Sequence, residues 1–169
     1  MKRLVTALTV VAAVMLGDVA AAPGQVTTER TRVRFELTSA TCPKLPAGTT
    51  LKGSGRQTSV TKTITDPNGI KTVVGYTRTR GNATSKKGVR YQFDYHNSFR
   101  VSNTASNPAK YSGTMFDLFE LVRRGRTTLS NGFVAVFTTD LAASNTYEPL
   151  YAFGDPLDFA AGTARCDPL

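Results

Sequence analysis

His96 is the only histidine in the chain, and it alternates with Asp94 and Ser98, so a carboxylate, an imidazole and a hydroxyl recur at every second residue. On a strand all three point one way at roughly 7 Å spacing, whereas a nucleophile, its base and the orienting group need contacts of about 3 Å. The spacing therefore predicts a solvated polar face, and no catalytic residue is assigned. Acid and base work by paired carboxylates would have to draw on Asp94, Asp117, Glu120, Asp140, Glu148, Asp155 and Asp158, and the sequence does not pair them. Asp117 stands apart because it lies between Phe116 and Leu118 in a segment with apolar residues on both sides. Burial there would raise its pKa; the plainer reading makes it an outward carboxylate beside an Arg-rich turn.

Metal ligation and cofactor chemistry are not expected. There is no second histidine, the two cysteines are expected to be oxidised, and no carboxylate run has calcium-loop spacing. Asp66 and Asn68 copy a fragment of such a loop, but Gly69 stands fourth rather than sixth, which fits a hairpin turn. Gly53 and Gly55 lead into neither a Lys-Ser/Thr pair nor a helix, so no phosphate-cradling loop is expected. Nucleic-acid binding would want aromatic residues interleaved with cations on one face. Here they separate, with Tyr91, Phe93, Tyr95 and Phe99 on one side of their segment and Arg90 and Arg100 on the other. That leaves two kinds of binding surface. Tyr91, Phe93, Tyr95, Phe99, Met115 and Asp117 are candidates to line an interior that holds a small apolar ligand, although the same residues would equally fill a core. Arg78, Arg80, Arg90 and Arg100 are candidates for an anion-binding face.

Positioning these residues requires strands, because helical periodicity is weak and period-2 alternation recurs in segments bounded by Gly, Pro, Asn and Asp. Val33, Phe35 and Leu37 alternate with Arg32, Arg34 and Glu36 over 30–37. Residues 42–55, rich in Pro, Gly and Thr, read as a loop with at most one short strand. A Thr-rich strand over 56–65, the turn Asp66, Pro67, Asn68, Gly69 and a return strand over about 70–80 make a hairpin. Tyr91, Phe93, Tyr95, Phe99 and Val101 then mark the clearest strand. Further strands are predicted over about 110–122, 127–139 and 147–153, with a single helical turn after Asp155 that starts at Pro156 and stops before Gly162. Long sequential strands with tight connections predict an all-β domain, a single antiparallel up-and-down barrel of about eight strands, with a sandwich as the competing architecture.

Lys2 and Arg3 precede an apolar run from Leu4 to Gly17 and small residues at Val19, Ala20, Ala21 and Ala22, the three-part pattern of an export signal. Residues 1–21 are read as a signal peptide and 22–169 as one β-barrel domain, secreted, extracellular, without a membrane anchor and monomeric. Outside the cytoplasm, Cys42 and Cys166 are expected to form a disulfide. Its loop of more than 100 residues would be worth roughly 4–5 kcal/mol in the chain-entropy account. The formal charge is +9, and residues 22–110 carry fifteen Lys or Arg against four Asp or Glu. An anionic polymer is therefore a candidate partner, the alternative being a surface kept soluble by charge.

The runs YQFDYHNSFRVSN, SNGFVAV and GDPLDFAAGTARCDPL resemble small secreted proteins of actinobacteria, a resemblance that implies export and a C-terminal cysteine and brings no assigned activity. In strand pattern alone the chain is similar to lipocalin-like and to allene oxide cyclase or dirigent-like barrels, which bind or steer small apolar molecules. The reading is an exported, non-catalytic barrel that binds a small apolar molecule or an anionic surface. Its alternatives are an isomerase- or cyclase-type enzyme, or a protein-interaction or inhibitor module presenting residues 102–109 or 140–149.

Overall fold

Alternating apolar and polar residues favour strands wherever one face can be buried, and seven such segments pair in sequence order. The computed structural model describes residues 24–140, 147–154, 157–158 and 163–166. They form β1 (Val26–Thr38), β2 (Thr50–Thr65), β3 (Lys71–Ser85), β4 (Arg90–Thr104), β5 (Asn107–Arg123), β6 (Arg126–Asp140), β7 (Tyr147–Gly154), β8 (Leu157–Asp158) and β9 (Thr163–Cys166). Strands β1 to β7 make one antiparallel up-and-down sheet, each beside its sequence neighbour. β9 joins β1 in parallel at Glu36 and Leu37 only, and β8 pairs with β9.

The turns follow local chemistry. Asp66 Oδ1 accepts from the backbone N–H of Asn68 and of Ile70, both at 2.9 Å, closing the β2–β3 hairpin. Arg124 and Gly125 adopt φ of 51° and 74° between β5 and β6, the paired positive values that match a two-residue connection to the strand twist.

Two expectations are corrected. The sheet does not close into a barrel: among the described residues, no pairing joins β7 to β1, β8 or β9. The outer edge of β1 is used only near its C-terminal end, and residues 26–32 are exposed throughout. The helical turn after Asp155 is not shown either. Leu157–Asp158 is a strand because it finds partners in Cys166 and Arg165, while residues 155–156 and 159–162 lie outside the described residues.

The open sheet is strongly coiled. Strands β1 and β5 are separated by three others, about 19 Å in a flat sheet, yet the Phe35 and Phe119 ring centroids lie 6.1 Å apart and those of Phe35 and Phe93 5.1 Å apart. Glycines permit this curvature. A Cβ on Gly53 would overlap the Phe35 ring, and one on Gly81 would run into the backbone of Ser54 and Gly55. The concave face thereby buries two apolar clusters. One holds Phe35, Leu37, Leu51, Phe93, Phe119 and Leu121; the other holds Val101, Tyr111, Met115, Phe133, Ala135 and Phe137.

Candidate functional site

Between the two clusters the concave face is polar. Pairing places Ser59, Thr77, Asn97, Asp117 and Phe133 directly opposite one another across β2 to β6, and Gln57, Thr79, Tyr95, Phe119 and Asn131 in the adjacent row. Directly opposed side chains on one face stand about 5 Å apart, so these residues form a continuous strip. Thr77, Thr79, Asn97, Asp117 and Asn131 are all buried. Thr77 donates to Ser59 Oγ at 3.0 Å and Thr79 to Gln57 Oε1 at 3.1 Å. Lys44, from the loop after β1, donates to Asn131 Oδ1 at 2.9 Å and ties that loop across to β6.

Asp117 is the centre of the strip. Its Oδ1 accepts from the Tyr95 hydroxyl at 2.9 Å and from Asn97 Nδ2 at 2.6 Å. Its Oδ2 is buried without a hydrogen-bond partner, although only 1% of the residue is exposed. Burial pushes the carboxyl up to about 6, with the bonds from Asn97 and Tyr95 pulling it the other way. Oδ2 can thus accept a hydrogen bond when Asp117 is ionised and donate one when it is protonated, and both forms lie within reach of neutral pH. At its β1 end Ser59 is half-buried, and its partner Glu29 is exposed, as is Thr31 opposite Gln57. A track of polar side chains thus runs from the β1 edge to Asp117, with Thr77 and Asn97 buried between.

The predicted interior residues share this face but divide between environments. Phe93 is packed against Phe35 and Phe119, with Tyr91 half-buried beside that cluster. Tyr95 bridges the first cluster to Asp117. Met115 and the half-buried Phe99 belong to the second cluster. Phe93 is therefore core, while Tyr95 and Asp117 meet at the strip. Asn97, Thr77, Thr79 and Asn131 were not singled out from sequence. Their signal is a polar residue breaking an apolar face at matching positions: Asn97 between Tyr95 and Phe99, and Asn131 between Leu129 and Phe133.

The outer face holds the other candidates. Asp94 accepts two bonds from Arg78, at 3.1 and 2.7 Å, and one from Arg80 at 2.9 Å. His96 Nε2 lies 3.0 Å from Asp94 Oδ1 and its Nδ1 3.1 Å from the Tyr76 hydroxyl. The expectation that same-strand neighbours stand too far apart is thus corrected for Asp94 and His96, whose ring spans the gap; Ser98 makes no hydrogen bond to His96. Arg90 and Arg100 are exposed on this face opposite Thr84 and Val74, away from the Asp94 group, so the four predicted arginines do not converge. Among the described residues, no group of three or more His, Cys, Asp or Glu is placed to hold a metal ion. Cys42 is fully buried in the first cluster and is not a free thiol.

No family model, curated protein or solved structure matches this chain.

Proposed function

We propose that this is an exported, non-catalytic binding protein whose concave face holds a small, largely apolar molecule by one hydrogen-bonding group. The observation that carries this reading is the unpartnered Oδ2 of Asp117. A buried polar atom without a partner lowers stability by about 1–3 kcal/mol, a loss that a hydroxyl, amide or amine of a bound molecule would recover. The flanking clusters would receive the apolar body. The polar track from β1 would serve as the approach.

A non-catalytic role fits because, of the ionisable groups along the strip, Lys44 is engaged by Asn131 and Glu29 stands at the exposed β1 end, so the Tyr95 hydroxyl alone meets the Asp117 carboxyl, with His96 and Asp94 on the opposite face. A cyclase- or isomerase-type activity has one observation in its favour: a carboxyl near 6 in contact with the Tyr95 hydroxyl could hand a proton back and forth. Export after removal of residues 1–21, which lie outside the described residues, completes the reading. So does a Cys42–Cys166 bond, since β9 joins the end of β1 from which the Cys42 loop departs.

Native mass spectrometry of the mature protein from the producer's medium, with the spectrum repeated after denaturation, tests the proposal. The expected result is a stoichiometric extra mass that vanishes on unfolding and is lost or reduced at least tenfold in occupancy in Asp117→Asn. A bare protein mass, or a ligand retained equally by Asp117→Asn, would overturn it. Release of a chemically altered ligand would favour the enzyme.

A further inference from the structure

Six arginines lie on one side of β1 to β3: Arg30, Arg32, Arg34, Arg56, Arg78 and Arg80. Their even positions place them opposite the inward Val33, Phe35 and Thr79, and all but the half-buried Arg78 are exposed. The register sets Arg32, Arg56 and Arg80 directly opposite one another on three adjacent strands. Like charges in that relation oppose sheet formation, and the protein offsets them at one end only. Asp94, opposite Arg80, already serves Arg78, Arg80 and His96. Glu36 lies 3.7 Å from Lys52. Among the described residues, Arg30, Arg32, Arg34 and Arg56 have no ion-pair partner.

We infer that this arginine ladder binds a flexible, acyclic phosphate polymer, such as a polyol-phosphate chain, through the charges of its backbone. Along β1 the guanidinium groups recur about every 7 Å and across the strands about every 5 Å, so anions of one chain can be met along either direction. Arginine, which predominates here over lysine, presents a fork that takes phosphate oxygens two at a time. Between the arginines stand Ser54, Thr58 and Asn82, donors suited to phosphate oxygens. These rows carry no Phe, Tyr or Trp, and the adjacent row brings one exposed ring beside Arg78, Tyr76, so successive bases or sugar rings have no series of platforms on which to stack. Recognition then falls to charge, and the strip around Asp117 plays no part in it.

The test titrates the mature protein with fluorescently labelled poly(glycerol phosphate) at several salt concentrations, using inorganic polyphosphate, polygalacturonate and oligo-dT as comparators. Binding is expected at 50 mM salt and should weaken linearly in log–log form. The Arg32→Gln/Arg56→Gln double variant should bind at least about tenfold more weakly, with a salt slope smaller by roughly 1.4. Arg123→Gln/Arg126→Gln, which removes the same charge from the β5–β6 turn, should stay within about twofold of wild type. No wild-type binding at 50 mM salt, or equal losses in the two variants, would overturn the inference. So would tighter binding of polygalacturonate or oligo-dT. Thermal midpoints of both variants, expected at or above wild type, separate lost binding from lost fold. Polyphosphate binding as well as poly(glycerol phosphate) identifies the phosphate chain itself as the feature read; polyphosphate alone would overturn the polyol form.

Discussion

Ionised Asp117 opposes folding, and Asp117→Asn should make that visible as a pH dependence. The carboxyl rises from 3.8 to about 6 on folding, so the native state holds its proton more tightly than the unfolded chain. Below about pH 3.8 both states are protonated and the stability is full. As pH climbs from about 3.8 to 6 the unfolded chain releases its proton first, stability falls, and above about 6 the loss is complete. Each tenfold change in proton affinity is worth about 1.4 kcal/mol, so the loss comes to about 3 kcal/mol, or roughly 6–12 °C in Tm for a domain of this size. Asparagine does not titrate and keeps an oxygen for Tyr95 and Asn97. Urea unfolding of both proteins from pH 4 to pH 8 provides the assay, and taking the difference cancels the other carboxylates. About 0.6 kcal/mol of this is already lost at pH 4, so the stability of Asp117→Asn relative to wild type should improve by about 2.4 kcal/mol between pH 4 and pH 7.5. Curves that stay parallel within about 0.5 kcal/mol, the upper end of the scatter seen for independent sites, would refute the reasoning.

Gly81→Ala should cost about 3 kcal/mol in urea unfolding, because its Cβ meets strand backbone that cannot yield cheaply. Gly132→Ala, whose Cβ meets only ordinary contacts, should stay within about 0.5 kcal/mol. Arg56→Thr removes the middle charge of the ladder and should raise stability by a few tenths of a kcal/mol at low salt, a gain that fades in 1 M salt. Replacing Cys42 and Cys166 together by alanine should lower the urea midpoint by the equivalent of about 4 kcal/mol; an unchanged midpoint would refute their pairing. Converting the Asp117 network to apolar side chains, Tyr95→Phe with Asn97→Val and Asp117→Val, should leave stability at pH 7 equal or higher. A loss above about 1 kcal/mol would show that the network holds the sheet together.

Strands whose faces differ in polarity were legible. The odd positions of β4 and the Asp66–Gly69 turn led to the observed pairing, and the proposed ranges for β5 and β6 lie within two or three residues of those formed. Glycine misled. Gly53 and Gly55 fall in the 42–55 stretch that reads as a loop, and the return strand reads as ending near residue 80, before Gly81, yet β2 and β3 run through all three, because in a coiled sheet a missing side chain makes room for Phe35 and Phe93. Closure was not legible, since an edge pairs according to where distant segments arrive, and β9 reaches β1 at only two residues. Asp117 was singled out by its apolar neighbours. Its contacts were not, because Tyr95 and Asn97 reach it from another strand, and register is fixed by the turn and the whole buried face rather than by any one residue. The arginine ladder was missed for the same reason: Arg32, Arg56 and Arg80 are far apart in sequence and opposed only once three strands are in register.

Energetics separates the strip from ordinary core. The Thr77–Ser59 and Thr79–Gln57 pairs exchange hydrogen bonds with water for hydrogen bonds with each other and are each worth only about 1 kcal/mol. Asp117 differs, because an ionisable group with an unfilled acceptor stands between two clusters that an apolar residue would have joined. Proteins sit close to their stability threshold, and a placement that lowers stability persists most readily where function requires it. The bare edge of β1 belongs to the same account. On the proposed reading, the β1 edge that no described strand pairs over residues 26–34 is the side from which a ligand approaches the Gln57 and Ser59 end of the strip. A strand closing that edge would leave Asp117 with its energetic penalty and no partner to relieve it.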